Sequence, residues 1–234
     1  MKIAVVVYPG SNADWDALHV ARDVLGEDAR YVFHKASSLG DADAVIIPGG
    51  FAHGDYLRAG AIARFSPVSG AVRAFAEAGG PVLGICNGFQ VLTEMGLLPG
   101  ALTLNVGLRF ECRDVWVRAE AEGPFTEGLR GRVLRLPVSH AEGRYQCDEP
   151  TAARLEEDGR VALRYCAPDG GPVPETVNGS VQEIAGIYNA SRNVLGMMPH
   201  PERASEAILG SDDGLAIFRA LQRTASARAA GGVA

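Results

Sequence analysis

The chain of 234 residues has few cysteines, no excess of basic residues and no long hydrophobic run. Its cysteines form no C-x-x-C pair, and they are Cys86, Cys112, Cys147 and Cys166. This spacing favours neither a disulfide scaffold nor a zinc site, and we predict that the chain binds no metal. The formal net charge of −6 argues against a nucleic-acid partner, which would require a basic face.

The N-terminal apolar run is interrupted by Pro9-Gly10, so it is too short for a signal peptide or a membrane span. A cytoplasmic protein without membrane contact is therefore expected. A phosphate-binding loop of the form G-x-x-x-x-G-K-[ST] is also missing from the sequence. The chain is thus expected to carry no cofactor, and any ATP-driven step would need a partner.

The first part of the chain alternates between strand-like and helix-like segments. The short runs 3–7, 44–47 and 81–85 are rich in β-branched residues, which is typical of strands buried in a parallel sheet. A helix is predicted between the first two runs, and another over 67–79. Alternation of this kind indicates an open α/β sheet, in which functional sites lie at the carboxyl ends of strands.

The second part of the chain has strand-like segments separated by Gly- and Pro-containing connections, which predicts antiparallel additions to the sheet. These segments are 108–118, 132–138, 160–166 and 182–189. The predicted fold class is α/β, with an open, mixed and mostly parallel sheet flanked by helices. One domain is expected over 1–224, followed by a flexible Ala/Gly-rich tail at 225–234.

Helix ends are predicted from capping residues. The first helix has Ser11 or Asn12 as its candidate N-cap and Gly26 as its stop signal. A last helix is expected to follow the polar cap at 211–213.

Cys86 lies in the sequence Gly84-Ile85-Cys86-Asn87-Gly88, between a strand-like run and a helix-like segment that ends at Gly96. A strand, a sharp turn and a helix in this order are typical of a nucleophile elbow, whose small neighbours allow close packing. The helix N-terminus would stabilise a thiolate there. From the pentapeptide alone, a small inert cysteine buried beside two packing glycines is an equally good interpretation.

A nucleophilic cysteine needs a base, and His200 is the favoured candidate among the histidines. It follows an apolar run and stands between Pro199 and Pro201. The prolines are predicted to keep the chain extended, so that Glu202 lies on the same side as His200 and fixes its tautomer. By itself, the segment also fits a surface loop with a solvated glutamate. With the cysteine elbow, it completes a set of nucleophile, base and orienting carboxylate.

The turn Pro48-Gly49-Gly50-Phe51 follows a predicted strand and offers flexible backbone N–H groups. Together with the N–H of Asn87, it would form an oxyanion hole beside the nucleophile. A plain glycine turn explains the same residues, so this motif decides nothing alone.

Longer motifs resemble a known family. GICNGFQ at 84–90 and MMPHPE at 197–202 resemble the class I (triad) glutamine amidotransferases, which have a flavodoxin-like fold. The chain is more narrowly similar to the glutaminase subunits of phosphoribosylformylglycinamidine synthases. This closer resemblance is carried by PGSNADWD at 9–16, PGGFAHGDYLRAGAIA at 48–63, GLLPGALTLN at 96–105, AEGRY at 141–145 and NVLGMMPHPERA at 193–204. Ala13 stands where the family often has cysteine, and Ala52-His53 replaces a more usual Ser-Tyr pair.

The resemblance implies a role for each matching residue. Cys86 would attack the carboxamide of glutamine and form a glutamyl thioester, while His200 transfers protons and Glu202 orients His200. The backbone amides of Gly50 and Asn87 would hold the oxyanion. The residues expected to bind glutamine are Gly49, Gly50, Phe51, Asn87, Gln90, Asn105, Arg109, Phe110 and His140.

The resemblance also implies partners. A large synthetase subunit would use ATP and Mg to convert formylglycinamide ribonucleotide into formylglycinamidine ribonucleotide with the released ammonia, in purine biosynthesis. A small subunit would bridge the two. Because free ammonia would be wasted otherwise, glutaminase activity is expected to rise when the partners bind.

Three other functions fit the sequence less well. An amidotransferase that feeds another synthase is disfavoured by GDYLRAGAIA and MMPHPERA, and a cysteine-elbow peptidase or chaperone that senses oxidants is disfavoured by Gln90 and the His200–Glu202 pair. A non-catalytic regulatory subunit would not need the complete triad.

Overall fold

The computed structural model describes the backbone of residues 1–231, and the end of the predicted tail at 232–234 lies outside the described residues. The strands are β1 Lys2–Val7, β2 Asp28–Phe33, β3 Ala44–Ile47, β4 Val82–Ile85, β5 Ala101–Thr103, β6 Glu111–Ala119, β7 Val133–His140, β8 Arg144–Gln146, β9 Val161–Cys166, β10 Ile184–Tyr188 and β11 Val194–Met197. The helices are α1 Asp14–His19, α2 Pro67–Glu77, α3 Asn87–Glu94, α4 Glu149–Glu157 and α5 Leu215–Gly231.

One large mixed sheet organises the described chain. Its strand order is β2-β1-β3-β4-β11-β10-β9-β6-β7. In this order, the pairings from β2 to β11 are parallel, and those from β11 to β7 are antiparallel. The predicted mixed α/β sheet with antiparallel additions in the second half is therefore confirmed. Strands β5 and β8 form a separate antiparallel pair.

The inner parallel strands are buried, as is typical of an α/β sheet with helices on both faces. Every residue of β3, β4 and β11 is buried. Helix α3 follows β4 directly and contacts both β4 and β11, and its residues 87–93 are all buried. Cys86 is the N-cap residue of α3, and no side chain caps this helix.

The expected side-chain cap of the first helix is wrong. The helix begins at Asp14 with Ala13 as its N-cap and no side-chain capping bond, and it continues as a π-helical turn at Val20–Val24. Ser11 instead accepts a hydrogen bond from the N–H of Tyr8 at 3.0 Å, which stabilises the preceding turn. Gly26 does end the helix, with φ of +73° in the left-handed region.

Some elements differ from those predicted. Strand β2 has an alternating, half-exposed pattern at the sheet edge, and α4 is capped by Asp148, which accepts a bond from the N–H of Thr151 at 2.9 Å. Neither was predicted. Helix α5 extends to Gly231, so the backbone of 225–231 is helical where a tail was expected; alanine is the best helix former. Among the described residues, no helix is long and apolar enough to cross a membrane.

Candidate active site

Three neighbouring parallel strands bring the predicted triad and oxyanion hole together. Gly49 and Gly50 follow β3, Cys86 follows β4, and His200 follows β11 shortly after its end. Because β3, β4 and β11 are adjacent and parallel, their carboxyl ends meet at one edge of the sheet. The sheet order therefore explains why residues far apart in the sequence share one site.

Cys86 occupies a strained turn. Its backbone has φ of +51° and ψ of −105°, which a non-glycine residue adopts only when the surroundings enforce it. The neighbouring glycines allow that geometry: a Cβ at Gly88 would lie 2.0 Å from the Ile47 carbonyl oxygen, and one at Gly84 would lie 2.8 Å from Gly88. The close approach predicted for an elbow is present on both sides of the cysteine.

The Cys86 side chain is 4% exposed and faces a small cavity. Its backbone N–H donates to the Met197 carbonyl at 2.7 Å, and its carbonyl accepts from Phe89 and Gln90 in the first turn of α3. The sulfur lies 3.6 Å from the Ser139 carbonyl oxygen. The thiol is thus held at the N-terminus of α3, next to the N–H groups of the first helical turn.

His200 and Glu202 form a buried pair. The Nδ1 atom of His200 is hydrogen-bonded to Oε1 of Glu202, and both side chains are at most 2% exposed. The backbone N–H of His200 donates to the Pro137 carbonyl at 2.8 Å, which ties it to β7. A Cβ at Gly49 would lie 2.6 Å from Cε1 of His200, so the absence of a side chain at 49 makes room for the ring.

The pairing of His200 with Glu202 was predicted from an extended backbone, and that backbone conformation is wrong. Residues Pro201–Arg203 form a 3₁₀ turn and not an extended chain. Proline has a fixed φ that suits the first position of a helical turn, and here Pro201 starts that turn. The carboxylate therefore reaches the imidazole by folding back over a tight turn.

The pKa of His200 is raised above its ordinary value. Burial, the largest contribution, favours the neutral ring and lowers the pKa, but the charges of Glu202 and Cys86 and hydrogen bonding to both groups together outweigh it. The Nε2 atom makes no hydrogen bond of good geometry within the described part of the chain. In ligand-free enzymes such catalytic contacts are often long and tighten only around the substrate.

Two backbone N–H groups near Cys86 were predicted to bind an oxyanion. Asn87 is the first residue of α3, so its N–H has no acceptor inside the helix. Gly50 has φ of +152°, and a Cβ there would lie 2.7 Å from the Gly10 carbonyl oxygen. The N–H of Phe51 is already used, because it donates to that same carbonyl at 2.9 Å. Gly50 and Asn87 therefore remain the candidate donors, and their binding of an oxyanion stays a prediction.

Asn87 also organises the wall of the cavity through its side chain. Its Oδ1 accepts from the N–H of Ala52 at 3.0 Å, and its Nδ2 donates to Gln90 at 2.8 Å. Gln90 in turn donates to the Glu142 carbonyl at 2.6 Å, and the Glu142 carboxylate accepts from the N–H of Ala59 at 3.2 Å. These bonds hold the loop 51–60 over the cavity.

The cavity beside Cys86 has a volume of about 40 Å³. Of the predicted binding residues, Gly50, Phe51, Gln90 and His140 line it. Asn105 is buried behind His140, whose Nδ1 lies 3.1 Å from Asn105 Oδ1. Arg109 and Phe110 are exposed and do not belong to its lining, so their part in binding stays a prediction.

Four cavity residues were not predicted as site residues: Asp55, Ser139, Ala141 and Glu142. Asp55 and Glu142 belong to the segments GDYLRAG and AEGRY, so membership in these motifs could have indicated them. Burial raises the pKa of Asp55 to about 6, and the charge of Glu142 adds to the shift. Two carboxyl groups at the cavity are suited to a cationic ligand group such as an ammonium.

The two departures from the family pattern lie near the site. Ala13 is fully buried, and its Cβ lies 3.5 Å from the position that a Cβ at Gly49 would take. His53 has φ of +56°, and its Nε2 lies 3.4 Å from the Ser66 hydroxyl. Neither residue contacts Cys86 or Glu202 through a hydrogen bond or ion pair in the described structure.

Comparisons with known proteins identify the family. The model of the CobB/CobQ-like glutamine amidotransferase domain matches residues 1–213. The phosphoribosylformylglycinamidine synthase subunit PurQ of Salinibacter ruber is 56% identical over 223 residues, covering 94% of this chain and 95% of the relative. PurQ of Koribacter versatilis is 54% identical, covering 94% and 97%.

A solved structure is also similar. A chain in the structure of PurLQS from Thermotoga maritima has a TM-score of 0.84 and 41% identity, covering 95% of this chain and 97% of that one. This similarity confirms the fold expected from the resemblance. The chain belongs to the glutamine amidotransferase family that includes the PurQ subunits of phosphoribosylformylglycinamidine synthase.

Proposed function

We propose that this chain is the glutaminase subunit of a phosphoribosylformylglycinamidine synthase and supplies ammonia for purine biosynthesis. The observation that carries the proposal is the strained Cys86 elbow beside the buried His200–Glu202 pair, in a chain more than half identical to PurQ subunits. The remaining steps follow from the chemistry of those groups.

Cys86 acts as the nucleophile. Its thiolate attacks the side-chain carbonyl carbon of glutamine, and the carbonyl oxygen takes up the negative charge. The N–H groups of Gly50 and Asn87 then bind that oxyanion, and such a donor is worth roughly 100-fold or more in rate. The protonated His200 gives its Nε2 proton to the departing nitrogen, the C–N bond breaks, and ammonia leaves a glutamyl thioester on Cys86.

The thioester is hydrolysed in the second half of the reaction. The neutral His200 now removes a proton from water, which attacks the thioester carbon while the same donors hold the oxyanion. The C–S bond breaks, glutamate leaves, and the His200–thiolate pair is restored. Glu202 takes no proton in this scheme. It keeps Nδ1 of His200 protonated and stabilises the imidazolium.

Substrate orientation is assigned to the residues around the cavity. Glu142 and Asp55 face the α-ammonium group of glutamine, since ionised carboxylates are its natural partners. Gln90 braces Glu142 through its carbonyl and connects it to Asn87. The wall that binds the substrate is thereby coupled to the residue that supplies an oxyanion donor.

The ammonia is used by partner subunits. A large synthetase subunit uses ATP and Mg to convert formylglycinamide ribonucleotide into formylglycinamidine ribonucleotide, and a small subunit bridges the assembly. The relative from Thermotoga maritima was solved as PurLQS, which supports such a complex here. A cytoplasmic location suits the chemistry, because reducing conditions keep thiols free, and the four cysteines are unpaired.

An oxidant sensor is the main alternative from another class, because an elbow cysteine also suits redox chemistry. The buried base and its orienting carboxylate favour acyl transfer, since sulfur oxidation needs neither. A low exposure of 4% also limits access of oxidants to Cys86.

Glutamate release tests the proposal. Wild type, Cys86→Ala and Cys112→Ser are each assayed with glutamine, with and without the synthetase subunit. Cys112 is exposed and does not line the cavity, although it pairs with Ser139 at the start of β6, so its variant is the matched control. We expect release by wild type and Cys112→Ser that rises on assembly, and none above background from Cys86→Ala. Release from the assembled Cys86→Ala protein at the wild-type rate would refute the function.

A further inference from the structure

His140 has a buried ring nitrogen that takes no part in the reaction proposed above. It is the last residue of β7, is 3% exposed, and lines the cavity together with Cys86. Its Nε2 is buried and makes no hydrogen bond within the described residues. An unpaired buried polar atom costs about 1–3 kcal/mol, so its retention at an active site indicates a ligand.

The hydrogen-bond network assigns the tautomer of His140. Asn105 donates through Nδ2 to the carbonyls of Arg109 and His140, both at 2.9 Å, so its Oδ1 is an acceptor. That oxygen accepts from the N–H of Gly143 at 3.0 Å and faces Nδ1 of His140 at 3.1 Å. Nδ1 must therefore carry the proton, and Nε2 of the neutral ring has a free lone pair.

The ring stays neutral and fixed. Burial lowers the pKa of His140 to about 4, and the positive charges of His200 and Arg113 act in the same direction. A Cβ at Gly143 would lie 2.2 Å from the ring, so this glycine lets the backbone close against the imidazole. At neutral pH, Nε2 is thus a rigid hydrogen-bond acceptor.

An acceptor beside Cys86 distinguishes the substrate from its product. The γ-carboxamide of glutamine offers N–H donors, whereas the γ-carboxylate of glutamate has only acceptor oxygens. With the carbonyl oxygen in the oxyanion hole, the nitrogen is the remaining group to be recognised. A lone pair at that position attracts the amide and repels the carboxylate, so it favours substrate binding and product release.

Resting on the proposed function, we propose that His140 determines specificity by accepting a hydrogen bond at Nε2 from the carboxamide N–H of glutamine. Asn105 is then a positioning residue, which acts only through the tautomer and orientation of His140. Both residues were predicted to bind glutamine, and the network separates their roles.

Two variants separate acceptor loss from structural damage. In His140→Asn, the side chain keeps a donor near the Nδ1 position, facing Asn105, and has nothing at the Nε2 position. In His140→Gln, an amide oxygen reaches the Nε2 position and accepts in its place. His19→Asn, at a surface histidine bonded to Asp23 and Glu206, is the control. All are assayed in the complex with the synthetase subunit.

The substrates are glutamine and the γ-methyl ester of glutamate, which has no N–H at the reacting group. For His140→Asn we expect kcat/KM for glutamine to fall by about 10- to 100-fold, and that for the ester to change by less than about 3-fold. His140→Gln should recover most of the loss on glutamine. The selectivity for glutamine over the ester is the readout that a purely structural role would not change.

Equal losses on both substrates in His140→Asn would overturn the inference, and so would an unchanged kcat/KM for glutamine. Either result leaves the glutaminase function standing, provided that wild type releases glutamate through Cys86. A wild type that releases none would instead refute the function itself.

Discussion

Replacing Gly49 by alanine should displace the base of the triad without unfolding the protein. A Cβ at residue 49 would lie 2.6 Å from Cε1 of His200. An ordinary contact begins near 3.4 Å, so the ring must move by about 0.8 Å. The ring is not free to move, because Glu202 binds its Nδ1 and the backbone of His200 is bonded to Pro137.

The displacement gives the size of the effect. A misplacement of about 1 Å in a catalytic group costs roughly 100-fold in rate, which is about 2.7 kcal/mol of activation free energy. Overpacking should lower the free energy of unfolding by about 1–3 kcal/mol. Backbone strain adds little, since Gly49 is not among the glycines with positive φ.

Gly70 provides the control. It lies in α2, is exposed, and has open space where a Cβ would be added. Gly70→Ala should therefore raise the free energy of unfolding by about 0.5–1 kcal/mol and leave kcat/KM unchanged. Glutamate release by the assembled complex and urea unfolding of each variant are the measurements. A Gly49→Ala enzyme within about 2-fold of wild-type kcat/KM would refute the reasoning, because other atoms, and not the His200 ring, would then have moved away from the new Cβ.

Three further outcomes are expected. Glu202→Gln should lower kcat by about 10- to 100-fold while glutamate release still depends on Cys86, and wild-type kcat would show that this carboxylate does not orient His200. Gly88→Ala should lower the free energy of unfolding by more than about 3 kcal/mol, because its Cβ would meet the Ile47 carbonyl oxygen. An increase in the free energy of unfolding, as expected for alanine in an open helix, would contradict the close packing. Because the folded-state pKa of His140 is depressed to about 4, stability should be lost as pH falls below about 6.5, by about 2 kcal/mol between pH 7.5 and pH 5. Measured by urea unfolding, the free energy of unfolding of His140→Asn should fall by about 2 kcal/mol less than that of wild type over the same pH change. Equal falls in the two proteins would disprove the depressed pKa.

The turn at Cys86 and the contact between His200 and Glu202 could be predicted because their signals are local. Glycines on both sides of Cys86 mark a turn that only small neighbours permit, and the His200–Glu202 spacing places two side chains within reach of each other. The spacing allowed the right pair even though the backbone between them folds as a 3₁₀ turn. Residues so close in the sequence can be predicted to contact each other even when the conformation between them is predicted wrongly.

The cavity wall could not be predicted in this way, because its members meet only after the chain closes. Glu142 reaches the loop 51–60 across the site through the N–H of Ala59, and Gln90 reaches the Glu142 carbonyl. Contacts between segments so far apart in the chain produce no periodic pattern in the sequence from which they could be predicted. Strand β2 was missed for a related reason: an edge strand with one exposed face has a weak apolar pattern, and sheet pairing decides its conformation.

The size of the cavity beside Cys86 has a consequence for the affinity of glutamine. A volume of about 40 Å³ is small for glutamine, and bonds from the loop 51–60 to Asn87 and Glu142 hold one wall of the cavity, so we expect glutamine to bind a conformation in which this loop has moved. The apparent affinity then equals the intrinsic affinity multiplied by the fraction of molecules in the open conformation. A partner that raised that fraction from about 1% to nearly all would lower the apparent dissociation constant of glutamine about 100-fold, without changing any catalytic group.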